Sequence, residues 1–174
     1  MADKGVSNLK WNIAQDLLER GTNVWVRVGD TAATAEKVGF VDSMRGSKNV
    51  QLQKAQVCGS IVVASIDPQG ISAQISITGF VATKDVYAGT KEYNGGGKIS
   101  LASFNPDSDA FITEQVCTKF PYLDFYDDKH HVVLASFTDA IASGFTITVN
   151  GGSYVKADVS MEAIDMSGGT QYLK

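Results

Sequence analysis

Residues 70–79 read GISAQISITG and alternate without interruption. Side chains of a strand point in turn to opposite faces, so Ile71, Ala73, Ile75 and Ile77 share one face while Ser72, Gln74, Ser76 and Thr78 share the other. The pattern predicts a strand running to about Val81, with a core side and a wetted side. A solvent face ordinarily mixes in Lys, Glu or Arg. This one is polar and carries no charge.

The flanking sequence extends the β pattern in both directions. Asp67-Pro68-Gln69-Gly70, with Pro at i+1 and Gly at i+3, predicts a turn that joins the quoted strand to the apolar run IVVASI at 61–66. Upstream, NVWVRV (23–28) and KVGFVDSM (37–44) are β-branched, alternating runs separated by Gly29-Asp30. Between them and IVVASI lies a polar stretch, 45–57, whose only apolar points before Val57 are Val50, Leu52 and Ala55. It predicts a long hairpin tip or protruding arm, since a long structureless loop inside a compact domain is uncommon.

Downstream, HHVVLASF (130–137) and SGFTITV (143–149) lead to Asn150-Gly151, which between two alternating runs predicts a β-hairpin with a type I′ turn. On its second arm Val155, Ala157, Val159, Met161 and Ala163 fall on one face, and Lys156, Asp158, Ser160 and Glu162 on the other. A Gly-rich loop at 86–97 precedes a short strand at 98–104. Two helices are expected. The first, at 7–20, places Leu9, Ile13 and Leu17 at i, i+4 and i+8 and either docks on the core or reaches a neighbouring subunit. The second covers about 109–120 and ends near Pro121. About seven strands in hairpin order make residues 1–174 a single, mainly β domain: an antiparallel sandwich or partial barrel with one or two short α-helices.

Composition narrows the function classes. With 15 Lys+Arg against 19 Asp+Glu the formal charge is −4, which argues against affinity built on neutralising many phosphates. Cys58 and Cys117 are too few for a disulfide framework and read as small buried apolar residues. The N-terminus lacks an apolar run with a cleavage site, and no segment nears the run of about 20 apolar residues that a membrane helix needs, so a soluble, unexported chain is expected.

Candidate chemistry is sparse. His130 and His131, as neighbours on a strand, point apart and cannot share a metal. Asp124, Asp127 and Asp128 lack the ligand spacing of a calcium loop and read as a solvated acidic turn. YNGGGKIS has Glu92 where a Walker loop needs Gly, Ile99 after the Lys, and a strand where the helix belongs. No nucleophile elbow occurs. Trp11 and Trp25 read as core, while Tyr87, Tyr93, Tyr122 and Tyr126 fall in or near loops, as the aromatics of a monomeric β-sandwich binding module for carbohydrate would.

The run VGFVDSMRGSKNVQLQKAQVCG, the SIDPQG turn, the return strand ISAQISITGFVATKDVY and the closing hairpin GFTITVNGGSYVKADVSMEA together resemble bacteriophage tail tube proteins and the related tubes of contractile injection systems. The resemblance covers about 38–84 and 130–164. It implies a non-enzymatic structural subunit, without cofactor, that self-assembles into stacked, commonly hexameric rings whose inner sheets join into one barrel around a channel. On that reading Ser72, Gln74, Ser76, Thr78, Lys156, Asp158, Ser160 and Glu162 face the lumen, and Arg45, Lys48, Val50, Leu52 and Lys54 form a ring-stacking arm. The implied partners are further copies of the chain, with sheath, tape-measure, terminator and baseplate proteins. DNA or cargo passes without tight binding, and the location is the virion tail, assembled in the host bacterial cytoplasm. A ring-forming secreted component of a type VI-like system is the alternative from the same fold.

Overall fold

The structure, a computed structural model, describes residues 23–56, 63–93, 97–106 and 119–172. The expected helix at 7–20, both cysteines and most of the expected helix at 109–120 lie outside the described residues.

The alternating stretch sits within β4 (Val63–Ala82), a 20-residue strand paired antiparallel along its length with β3 (Ser43–Gln56). Asp67-Pro68-Gln69-Gly70 therefore does not reverse the chain, contrary to the turn expected there. Gln51 faces Gly70 and Leu52 faces Pro68, so Gln69 is an extra residue and the tetrapeptide forms a β-bulge within one continuous strand. Among the described residues the other edge of β4 has no partner strand at this point, and a bulge on an open edge is where a strand tolerates proline.

The remaining strands of the main sheet are β1 (Val24–Gly29), β2 (Glu36–Phe40), β7 (Lys119–Asp127), β8 (Val132–Thr148), β9 (Lys156–Ala163) and β10 (Asp165–Tyr172). All of their pairings are antiparallel. Followed from strand to strand, β7, β1, β2, β4, β9 and β8 return to β7, so the ladders form a closed circuit of six strands. Inside it lie Val26, Val28, Val38, Ile75, Ile77, Leu123, Phe137, Val159 and Met161, all at most 2% exposed. Burying each such side chain contributes about 1.5–3 kcal/mol. The mainly β, antiparallel fold expected from the sequence is thus a closed barrel, with β3 and β10 extending beyond the circuit.

Two glycines are dictated by this packing. Gly79 has φ +67°, and a Cβ there would stand 2.3 Å from the Asp42 carboxylate. It sits where the β4 and β9 ladder shifts register between Ile77 and Phe80. Gly39 lies beneath the Phe80 ring, which a Cβ would strike at 2.1 Å. Phe80, Phe104 and Phe120 then stack in sequence, with centroids 4.9 and 5.4 Å apart, and fill the barrel near the C-terminal end of β4.

Other local expectations are revised. The loop at 86–97 and the strand at 98–104 resolve into a short helix α1 (Lys84–Tyr87), a hairpin of β5 (Lys91–Tyr93) with β6 (Gly97–Ile99), and a 3-10 turn over Leu101–Phe104. Lys119, Phe120 and Pro121 belong to strand β7 rather than to the end of a helix; pairing of Phe120 with Ala140 overrides the helical spacing. The runs 130–137 and 143–149 are joined, from Val132 to Thr148, in one strand, β8. The β8–β9 hairpin forms as expected, but its turn differs: Ser153 N–H donates to Asn150 O at 3.1 Å, and of the two central glycines only Gly152, φ +78°, is left-handed. That is a type II pattern, displaced by one residue from the expected type I′.

Candidate functional site

The two uncharged or mixed strand faces read separately in the sequence become neighbours. β4 pairs with β9 so that Gln74 faces Glu162 and Ser76 faces Ser160. On the other side of β4, Ser43, Arg45, Ser47 and Asn49 of β3 face Thr78, Ser76, Gln74 and Ser72. Beyond β9, Thr146 and Thr148 of β8 face Asp158 and Lys156. Directly paired residues lie on the same face of a sheet, so β3, β4, β9 and β8 present one four-stranded polar wall on the outside of the barrel. Ser72, Gln74, Ser76, Thr78, Lys156, Asp158, Ser160 and Glu162 are all exposed on it, while Ala73, Ile75, Ile77, Ala157, Val159 and Met161 alternate with them into the core. A shallow hollow of about 450 Å³ lies at its centre, lined among others by Arg45, Gln74, Ser76, Ser160 and Glu162.

Charge on the wall is balanced. Arg45 and Lys156 offset Asp158 and Glu162. Lys156 Nζ also meets Asp42 Oδ2 at the rim, 2.5 Å away, and Asp158 Oδ1 accepts the Gly79 N–H at 2.9 Å. The half-buried Ile141, opposite Glu162, is the apolar exception. Both long edges of the wall are open among the described residues: β3 pairs only with β4, and β8 beyond Ile141 pairs only with β9.

The five residues expected in a stacking arm separate into three environments. Arg45 belongs to the wall. Lys48 is held at the root of the ribbon by its own chain, with Nζ 2.6 Å from Asp165 Oδ1 and 3.2 Å from the Met166 carbonyl. Val50, Leu52 and Lys54 stand further out, where β3 and β4 continue past the last β9 pairing at Ala73 as a ribbon that is two-stranded among the described residues. There Val50 faces Ile71, Leu52 faces Pro68 and Lys54 faces Ile66. Ile71 shares the inward face of its strand, as its alternation requires, yet it is 50% exposed because the barrel does not extend so far.

The acidic and aromatic candidates are structural. Asp124, expected in a solvated turn, is fully buried in β7, where it accepts from Arg27 Nε at 2.9 Å and Nη2 at 2.5 Å. The two residues are direct cross-strand partners, a pairing visible only once β1 and β7 are neighbours. Burial, with the Asp124 carboxylate beside it, raises the Tyr122 phenol well above its ordinary value. Asp128 pairs with Lys37, 2.5 Å away. Asp127 accepts from the Lys129 and His130 backbone N–H groups at 2.9 and 3.4 Å and meets His130 Nδ1 at 2.8 Å. Burial pushes its carboxyl up, but these hydrogen bonds outweigh burial and hold it below the usual carboxylate range.

His130 and His131 thus stand in the turn between β7 and β8, not on a strand, and His131 Nδ1 meets the Tyr126 hydroxyl at 3.0 Å. Among the described residues no group of three or more His, Cys, Asp or Glu could hold a metal ion. Tyr122 and Tyr126 lie in β7 rather than in loops, with Tyr126 buried beneath the Arg27 guanidinium, 4.1 Å from its ring centre. Trp25, expected in the core, is only half-buried on the opposite face of β1, edge-on to Phe40 at 5.8 Å.

The chain is therefore a closed antiparallel barrel with a polar outer wall and a protruding ribbon. No protein-family model matches it, and no curated protein matches it. Solved structures of similar trace include a chain of the tail of an empty gene transfer agent particle, refined with C6 symmetry, at 12% identity and a TM-score of 0.46, covering 90% of this chain and 100% of that one. Another is from the sheath–tube complex of an extracellular contractile injection system, at 15% identity and a TM-score of 0.48, covering 91% and 97%. The SPP1 tail tube matches at 9% identity and a TM-score of 0.46, covering 90% and 81%. At such identities and superpositions the likeness carries no function across.

Proposed function

We propose that this chain is a structural subunit of a tail tube, of a phage or a related injection particle, in which copies join side by side into rings and the rings stack around a bore lined by the four-stranded wall. The observation that carries this reading is the wall itself: a broad, charge-balanced surface rich in Ser, Thr, Asn and Gln, bounded by two strand edges that are unpaired among the described residues. A row of open backbone N–H and C=O groups is a template for another strand. Two different edges, on β3 and on the far half of β8, make a head-to-tail contact, which generates a ring when the rotation closes. Curling the sheet that way puts the polar face inside. Such a lining lets a polyanion slide, because no clustered Lys or Arg holds phosphates and no apolar patch grips.

No cofactor and no catalysis enter this role. DNA or cargo is a passenger, and sheath, tape-measure, terminator and baseplate proteins are the classes of partner the assembly would need. The purified chain is expected to form rings or hollow rods of uniform width in negative-stain micrographs, with a solution mass that is a multiple of the subunit. Dispersed monomers at high concentration, across salts and in the presence of tail-completion proteins, would refute it.

A further inference from the structure

Seven of the nine exposed large apolar residues of the described chain gather at opposite ends of the wall, the other two being Tyr87 on α1 and Ile164 just after β9. Val50, Leu52, Ile66 and Ile71 lie on the ribbon, at 43–55% exposure, and Ile147, Val149 and Tyr154 lie at the far end, at 49–79%. The far end is fixed by register: Ala157 pairs with Phe80 and Ala163 with Ala73, so the β8–β9 turn sits beside the C-terminal end of β4, away from the ribbon. There the polar wall gives way to an apolar hollow of about 400 Å³ lined by Trp25, Phe40, Val81, Ala82 and Tyr154, with the Asp42–Lys156 ion pair on its rim.

The ribbon stripe and the hollow face in opposite directions, while Ile147, paired with Ala157, lies on the stripe's side of the sheet. Val50, Leu52, Ile66, Pro68 and Ile71 continue the core side of the β3–β4 ladder, whereas Phe40 and Val81, paired with each other beyond the Gly79 bulge, point to the wall side with Lys156. A ribbon that projects from one ring into the next would turn its apolar stripe away from the bore, toward a surface that faces the bore. Its own outer side carries Asn49, Gln51, Gln53 and Gln69, with Gln69 Nε2 donating to Gln53 Oε1 and Asp67 opposite Gln53, so a docked ribbon would cover the hollow and restore over it a polar lining that holds no cation. We infer that the apolar stripe of the ribbon docks in the Phe40–Tyr154 hollow of a second copy of this chain in the adjacent ring. This inference rests on the tube reading and names the surface that receives the arm. Stripe and hollow are different surfaces at opposite ends of one subunit, so the contact repeats without closing and grows a polar filament.

The test uses the full chain in three forms: wild type, Leu52→Asp/Ile71→Asp, and Tyr154→Asp. All changed positions are exposed, and circular dichroism and thermal melts verify that each variant folds. Wild type is expected to give long tubes, and each variant single rings. Rings of the two variants, once mixed, retain one working stripe and one working hollow between them, so stacks of two rings and no longer are expected. Tubes of wild-type length from either variant, or a mixture that stays as single rings, would overturn the assignment while leaving the ring reading intact. Absence of rings from the wild type would overturn both.

Discussion

At the scale of single residues, the wall depends on positions whose chemistry looks incidental. Gly79 combines a left-handed backbone with a carboxylate where its Cβ would be. Gly79→Ala is expected to destabilise the fold by roughly 2 kcal/mol, from the left-handed strain together with displacement of Asp42. Chemical denaturation reads that directly, and an unchanged midpoint would show that the bulge relaxes freely. Asp127, at the end of β7, contributes to the acid behaviour of the fold. Its carboxyl is held below its unfolded value, so the stability it contributes is fully present above the unfolded pKa, near 3.9, and is lost as pH falls through the lower folded value. Melting temperatures from pH 5 to pH 2 are expected to fall more steeply for the wild type than for Asp127→Asn, whose neutral amide has no proton to take up.

At the scale of elements, the β8–β9 hairpin distinguishes two adjacent glycines. Gly152 alone is left-handed, and neither Gly151 nor Gly152 has an atom within 4 Å of where a Cβ would stand. Gly152→Ala is expected to cost about 1–2 kcal/mol. Gly151→Ala is expected to be neutral or slightly stabilising, by up to about 1 kcal/mol, through a less flexible unfolded chain. Equal effects in urea melts would mean that the turn is not of the type II pattern. The Asn-Gly pair made the hairpin legible in the sequence. The placement of the turn was not legible, because two consecutive glycines offer the backbone two registers of similar local energy, and only the cross-strand pairing of Ile147 with Ala157 selects one.

At the scale of the whole molecule, the neutrality of the wall is its testable property. Ser72 and Ser76 are exposed, opposite Asn49 and Arg45 on β3; a second cation beside Arg45 costs at most about 1 kcal/mol, so Ser72→Lys/Ser76→Lys should leave the barrel and its assembly intact. Each copy would then add two positive charges to the bore. Tubes of this variant are expected to retain DNA at low salt and release it as salt rises, while wild-type tubes show no such retention. A filter-binding series over salt concentration measures the difference. Equal retention by both would place those serines away from the bore.

The sequence by itself determined which side of β4 and of β9 is core and which is wet, because the two-residue period of a strand is local chemistry. It therefore gave the polar faces of 72–78 and 156–162 residue by residue, along with the mainly β class. Tertiary structure decided what those faces adjoin. That β4 lies between β3 and β9, that Arg27 meets Asp124, that Lys48 is held by Asp165 and that Pro68 sits in a bulge are all consequences of pairing between distant segments. Backbone hydrogen bonds in a ladder are nearly identical for every residue type. The choice of partner strand is thus made by the packing of the enclosed side chains, which alternation along one strand cannot reveal.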